Sequence, residues 1–284
     1  MHFGKNLREL CLGMSLLLIL QGCSPALLNP FTPSTGYSIA RDVAYGGNAR
    51  QELDIYVPDA LRDPAPVLVF FYGGSWQSGS KNYYRWVGQS FASRGIVTVI
   101  ADYRIYPPAH FPQFVNDSAE ALAYVHNNIA NYGGDPKRLF VAGHSAGAYD
   151  AMMLVADPKY LTDAHADETW VRGVIGIAGP YDFLPLTDPA LIAIFGGNNR
   201  IETQPITFVD GKRPPALLLT GTADETVSPG NTKRLAAKWR ANGNEVEEIY
   251  YPDVGHIGII LSLAPVFGNK TTLRDDIVNF IAAH

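Results

Sequence analysis

A strand-like run that passes through a single serine into a helix-like run sets the tightest limit on how this chain can fold. Arg138-Leu139-Phe140-Val141-Ala142 is apolar and β-prone, and Ala146 through Leu154 is rich in Ala, Met and Leu, which are good helix formers. Between them stands Gly143-His144-Ser145-Ala146-Gly147. A serine in that setting sits on a sharp strand-to-helix turn, and the flanking glycines remove the Cβ atoms that would clash there. This marks Ser145 as a candidate nucleophile. The same five residues also read as a Gly-flanked turn without chemistry, so the decision rests on partners.

In this strand-turn-helix arrangement an acid and then a histidine follow the serine in the chain. Of seven histidines, His165, His256 and His284 lie beyond Ser145. His284 ends the chain, where fraying works against a fixed geometry. His165 lies in a polar run, Thr162 to Glu168. His256 closes Pro252-Asp253-Val254-Gly255-His256, a punctuated loop directly after the strand-like Glu247 to Tyr251. Open α/β sheets place functional groups in such loops at the carboxyl ends of strands, so His256 is the candidate base. Two aspartates follow strand-like runs in the interval, Asp224 after Ala216 to Gly221 and Asp182 after Val174 to Gly179. Either carboxylate could accept the imidazole N–H and fix its tautomer. The short polar loop around Asp224 and the chain order favour Asp224, while Asp182 reads better as a helix cap before Phe183-Leu184.

Val67 to Phe71 is a continuous apolar run, as expected of a parallel strand buried on both faces, and it breaks into Tyr72-Gly73-Gly74-Ser75-Trp76. Backbone N–H groups in a glycine turn can face a cleft unobstructed. With the N–H of Ala146, just after the serine, they would form an oxyanion hole.

Taken together, the Tyr72-Gly73-Gly74-Ser75-Trp76 turn, Asp102-Tyr103-Arg104 with Phe111-Pro112, the Gly143–Gly147 turn, Asp224 and His256 resemble the α/β-hydrolase superfamily. Within it the resemblance is to the hormone-sensitive-lipase-like carboxylesterases and their feruloyl-esterase-like and prenylcysteine-methylesterase-like relatives. It runs from about Leu53 to the C-terminus. It implies a serine carboxylesterase acting on short-chain acyl, or aryl and feruloyl-type, esters through an acyl-enzyme. Carried over position by position, the family's oxyanion donors fall on Gly74, Ser75 and Ala146. Where the family has His-Gly-Gly-Gly or His-Gly-Gly-x-Trp, this chain has Tyr72 for the His and Ser75 for a frequent Gly. Backbone donors survive those changes, but the shape beside the acyl pocket is left open by them. The Gly-Gly-x-Trp also fits an arylformamidase-type amide hydrolase. A non-catalytic binding module on a hydrolase fold is the alternative from a different class.

The N-terminus carries a separate signal. Lys5 and Arg8 precede an almost unbroken apolar run from Leu10 to Leu20. Such a run is too short to span a bilayer, which takes about 20 residues, and has the dimensions of a secretory signal core. Leu20-Gln21-Gly22-Cys23 resembles a bacterial lipobox, in which the cysteine is lipidated and becomes the new N-terminus. The only other cysteine, Cys11, lies inside the signal, so Cys23 would have no disulfide partner in the mature chain. Residues 1–22 are therefore read as a lipoprotein-type signal peptide, 23–36 as an uncharged, Pro-containing tether, and 37–284 as the catalytic domain. Ser24 after the cysteine points to the outer membrane, with plain export as the alternative. The membrane would be reached through the lipid alone.

Strand-like and helix-like segments alternate over the rest of the chain, which implies an α/β fold with a mostly parallel central sheet and helices on both faces. The Pro- and Gly-rich stretch from Tyr181 to Pro215 is too short for a large lid, so the cap is expected to be small or absent. A net charge of −5 without basic clusters argues against nucleic acid as a partner. The dinucleotide glycine fingerprint, His-Glu-x-x-His and Cys-x-x-Cys are all missing, so no cofactor and no metal are expected.

Overall fold

The computed structural model describes residues 25–267 and 270–284. Eight strands are formed: β1 (Tyr37–Ala44), β2 (Glu52–Pro58), β3 (Ala65–Phe71), β4 (Val97–Ala101), β5 (Gly134–His144), β6 (Val171–Ile177), β7 (Ala216–Gly221) and β8 (Val246–Tyr251). They join in one sheet in the order β1-β2-β4-β3-β5-β6-β7-β8. β2 runs antiparallel to both its neighbours, and every pair from β4 to β8 is parallel. This is the α/β-hydrolase arrangement expected from the sequence.

The parallel strands are apolar on both faces because both faces are covered: Val67 to Phe71, Leu139 to Val141 and Leu217 to Leu219 are fully buried. The covering helices are α1 (Arg85–Ala92), α2 (Gln113–Asn128), α3 (Ala146–Ala156), α4 (Lys159–Asp163), α5 (Pro189–Phe195), α6 (Gly230–Ala241), α7 (His256–Leu261) and α8 (Leu273–Ala283). α1 packs beside α8, and α2 beside α3. On α8 the buried residues are Leu273, Ile277, Phe280 and Ile281, the i, i+4, i+7, i+8 stripe of an amphipathic helix.

β1 does not announce itself in the sequence. It is an edge strand with half its residues exposed, and its pairing with β2 shifts register between Ala40 and Val43, around Arg41 and Asp42. Charge and irregularity at an edge discourage pairing with another chain, and they also erase the alternation by which a strand is recognised.

Register brings the functional loops together. Phe71 lies opposite Gly143, His144 opposite Ile177, and Gly221 opposite Tyr251, so β3, β5, β6, β7 and β8 all end at one edge of the sheet. The turn after β3, the serine turn and the loops carrying Asp224 and His256 emerge there, at the carboxyl ends of parallel strands.

The segment read as a tether is seated on the domain from Pro25 onward. Pro25–Phe31 forms a 3₁₀ helix with Leu28 buried, the Asn29 side-chain amide donates to the Asn82 carbonyl at 2.7 Å, and the Tyr37 hydroxyl donates to the Pro33 carbonyl at 2.8 Å. Cys23 and the signal-like run lie outside the described residues. The stretch between β6 and β7 carries only α5 and two single 3₁₀ turns, which makes a small cover, as expected.

Candidate active site

β5 ends at His144 and the chain turns at once into α3, leaving Ser145 at the corner with φ 55° and ψ −121°. A residue with a side chain holds such a conformation at a cost of about 1–3 kcal/mol, so its surroundings must impose it. A Cβ on Gly143 would sit 2.1 Å from the Gly147 carbonyl oxygen, and one on Gly147 would sit 2.1 Å from that of Phe71. Only glycine at both positions lets α3 close this tightly over β3 and β5. The Ser145 N–H then donates to the Ile177 carbonyl at 2.9 Å, fastening the corner to β6.

The other two candidates meet the serine. Ser145 Oγ is 2.9 Å from His256 Nε2, and His256 Nδ1 is 2.8 Å from Asp224 Oδ2. A carboxylate only accepts, so Nδ1 carries the proton and Nε2 is left to accept from the serine hydroxyl. Asp224 is anchored in turn: its Oδ1 accepts the Thr226 and Val227 N–H groups at 3.0 and 2.8 Å. His256 stands one residue beyond the punctuated loop, as the first residue of α7 with Gly255 as its N-cap. Both Asp224 and His256 are buried.

The competing residues are placed elsewhere. The carboxylate of Asp182 is ion-paired with the Arg234 guanidinium, and its N–H donates to Asn231 Oδ1 at 2.8 Å. It makes no hydrogen bond to His256. His165 lies in the turn after α4, and His284 faces Glu245 at 3.7 Å.

In the turn after β3, Gly74 has φ 141°, Ser75 φ 53° and Trp76 φ 57°, a run of left-handed residues that rolls the backbone over toward Ser145. Among the described residues, the N–H groups of Gly74, Ser75 and Ala146 donate to no other protein group. Ala146 opens an eleven-residue helix, whose N-terminal end favours negative charge. Tyr72 points away from this site. Its ring is fully buried between Tyr84 and Tyr103, with centroids 5.3 and 5.0 Å away. Its hydroxyl donates to Asp102 Oδ1 at 2.5 Å and accepts from the Arg50 guanidinium at 2.8 Å. Replacing the family's histidine here therefore reshapes the support of the turn and leaves the cleft lining alone.

Two clefts meet at Ser145. One of about 380 Å³ is walled by Trp76, Pro180, Phe183, Leu184 and Leu191, with Asp182 and Arg234 at its rim. The other, of about 570 Å³, lies on the His256 side and is lined by Tyr83, Tyr84, Ile257, Ile260 and Leu261. Tyr103 and Tyr181 are fully buried in the core and line neither cleft. His144, which the sequence reading left without a role, is buried against His256, the two ring centroids 4.8 Å apart. Its one sequence signal is an imidazole inside an otherwise apolar strand end. Among the described residues no group of three or more His, Cys, Asp or Glu side chains is placed to hold a metal ion.

The BD-FAE family model matches residues 53–239 of this chain. A probable isoprenylcysteine alpha-carbonyl methylesterase of Arabidopsis thaliana is 27% identical over 289 residues, covering 92% of this chain and 60% of the plant protein. Esterase LipC of Mycobacterium tuberculosis is 30% identical over 241 residues, covering 78% of this chain and 60% of the mycobacterial protein. The chain thus spans about three-fifths of the length of these relatives. Among solved structures, a truncated form of a carbohydrate esterase from gut microbiota matches with a TM-score of 0.77 at 21% identity, covering 89% of this chain and 98% of that one. That likeness shows the α/β-hydrolase fold, and the family model spans well over half of the sequence: the chain belongs to the BD-FAE family.

Proposed function

We propose that this protein is a carboxylic ester hydrolase with Ser145 as nucleophile, His256 as general base and acid, and Asp224 as the group that orients the imidazole. The observation that carries this reading is the unbroken hydrogen-bonded line from Ser145 Oγ through His256 to Asp224, opening onto two clefts. As Oγ attacks the ester carbonyl carbon, its proton passes to His256 Nε2. The carbonyl oxygen gains negative charge against the N–H groups of Gly74, Ser75 and Ala146, where preorganised donors act most strongly. The imidazolium is offset by Asp224 and gives its proton to the departing alcohol oxygen, so the alcohol half belongs on the His256 side. The acyl half, bonded to Ser145, lies in the smaller cleft beneath Trp76 and Phe183. Water then repeats the two proton transfers and releases the acid.

Relatives named as esterases and methylesterases support an ester over other carbonyl substrates. The modest volume of the acyl-side cleft supports short acyl groups. We infer further that Cys23 is lipidated and that the enzyme sits on a bacterial outer membrane, a reading supported by the lipobox-like Leu20-Gln21-Gly22-Cys23. The test of the activity is covalent labelling by a fluorophosphonate, followed by a panel of acetylated sugars, feruloyl esters and plain acyl esters. Label should reach the wild-type protein and be lost in Ser145→Ala. A wild-type protein that neither takes the probe nor turns over any ester would overturn the proposal.

A further inference from the structure

Trp76 ends the left-handed run after β3, and its indole Nε1–H donates to Asp150 Oδ1 at 3.0 Å. Asp150 has no solvent exposure and Trp76 almost none. Asp150 stands on α3, about one turn beyond Ala146, the helix's first residue. Its second oxygen, Oδ2, has no hydrogen-bond partner, and among the described residues no cation pairs with it. Burial pushes this carboxyl well above the ordinary carboxylate range and so favours the neutral acid.

A half-satisfied carboxyl is a poor way to stabilise a core. Two apolar side chains of the same shape serve stability as well or better, whereas an indole N–H stripped of its acceptor is costly. What the polar pair adds is direction. Ser75 and Trp76 hold backbone conformations that side-chain-bearing residues keep only when their surroundings over-determine them. The Trp76 ring is packed edge-on against Tyr149 and Phe195 at 5.1 and 4.9 Å and also meets Phe114 and Phe183 at 5.6 and 6.5 Å, apolar contacts that carry none of the directionality of a hydrogen bond. The N–H bond to Asp150 adds a directional tie to that packing. It ties the turn to the helix that carries the remaining oxyanion donor.

We propose that Asp150 is a positioning residue of the oxyanion hole, holding the Gly74 and Ser75 donors at a set distance from the Ala146 donor through the Trp76 indole. The inference rests on the esterase reading of Ser145.

Four variants test it on a soluble acetate ester, each with kcat, KM and Tm measured: Asp150→Asn, Asp150→Leu, Trp76→Phe and the Trp76→Phe/Asp150→Leu double. Asp150→Asn keeps an oxygen for the indole, so its kcat should stay within about 3-fold of wild type. Asp150→Leu should lower kcat roughly 10- to 100-fold, less than outright loss of a donor, with KM little changed. It should also lower Tm, because the indole N–H is left unpaired. The double variant separates the two roles. Its Tm should rise above those of Asp150→Leu and Trp76→Phe, each of which leaves one orphan polar group, while its kcat stays as low as in those two, because all three break the same bond. A kcat that recovers along with Tm would make the pair merely structural and overturn the inference, as would an unchanged kcat in Asp150→Leu. Failure of the wild-type protein to hydrolyse the ester would overturn the esterase reading, and this inference with it, before any variant is compared.

Discussion

His144 Nε2 lies 3.1 Å from the backbone carbonyl oxygen of His256, so the residue before Ser145, the proposed nucleophile, holds the main chain of the proposed base. A carbonyl only accepts, which puts the His144 proton on Nε2. Burial, and then the neighbouring His256 ring, push the His144 imidazole well below its ordinary pKa and keep it neutral. The Ser145 corner and the start of α7 are thereby joined by a contact separate from the Ser145–His256 bond itself. His144→Ala should leave the His256 carbonyl without this donor and let the base drift, lowering kcat by about 10-fold with a smaller effect on KM, the size expected for one buried hydrogen bond. Steady-state kinetics with a soluble ester check this. Equal kcat in the variant and the wild type would mean that α7 is positioned without His144.

The same neutral imidazole couples stability to pH. In the unfolded chain His144 binds a proton below about pH 6.5, whereas the folded site does not until a lower pH. The unfolded state therefore binds more protons in that window, and stability is lost as pH falls below about 6.5, with no contribution from this residue above it. Asp150 has the opposite sign. Its folded carboxyl keeps a proton that the unfolded chain gives up above about pH 4, so its contribution worsens as pH rises from there to the folded pKa. Thermal melts between pH 4 and 8 separate them: His144→Gln should flatten the loss below pH 6.5, and Asp150→Asn should gain on wild type as pH rises from 4. A constant offset for Asp150→Asn at every pH would contradict a buried neutral acid.

Asp224 and Asp182 differ in what they face, which gives a paired prediction. Asp224→Asn presents the imidazole with an amide able to stabilise the wrong tautomer, and kcat should fall by about 10⁴-fold, the loss known for a triad acid so changed. Asp182→Asn only weakens a partly exposed ion pair with Arg234 at the rim of the acyl-side cleft. It should change kcat by no more than about 3-fold, in keeping with the small worth of exposed pairs. The reverse ranking of the two variants would transfer the role of acid to Asp182.

Ser145, Asp224 and His256 were legible because a strained strand-to-helix corner needs its glycines at fixed offsets, and because chain order orders the partners. The parallel strands were legible because burial on both faces writes an unbroken apolar run, as in Val67 to Phe71. What stayed hidden depends on distant contacts or on short, irregular elements. The six residues of α7 are too few to show a helical period, so His256 read as a loop residue. Pro25 to Gly36 looks unstructured by composition, and only its packing on residues such as Asn82 orders it. The Trp76–Asp150 and His144–His256 bonds join residues 74 and 112 positions apart, and no local pattern marks either.

Attachment to the membrane is testable through Cys23. The full-length protein expressed in a bacterial host should partition with membranes and incorporate a palmitate analogue, and Cys23→Ser should abolish the label. A mature wild-type N-terminus found at any residue other than Cys23 would replace lipidation by plain export.

Acyl-chain preference follows from how the cover is fastened. Phe183, Leu184 and Leu191 wall the acyl-side cleft of about 380 Å³. Their segment is pinned at several points: the Phe183 N–H donates to Gln204 Oε1 at 2.8 Å, the Leu186 N–H to the Asn198 carbonyl at 2.7 Å, and the Phe111 N–H to the Ile194 carbonyl at 2.9 Å. A cover tied in this way should not swing open to lengthen the cleft. Each methylene that finds room gains about 0.8 kcal/mol, and each one beyond the wall gains nothing and meets the aromatic side chains. kcat/KM should therefore be highest among acyl groups of about two to six carbons and fall beyond them by the factor of roughly 10 to 200 that one misfit methylene costs a closed pocket. Because no lid has to move, rates on a sparingly soluble ester should pass smoothly through its solubility limit. Phe183→Ala, which removes one wall, should shift the optimum to longer chains with little loss on acetate. Efficient turnover of long-chain triglyceride emulsions, with a jump in rate at the solubility limit, would show that the cover moves and that the enzyme is a lipase.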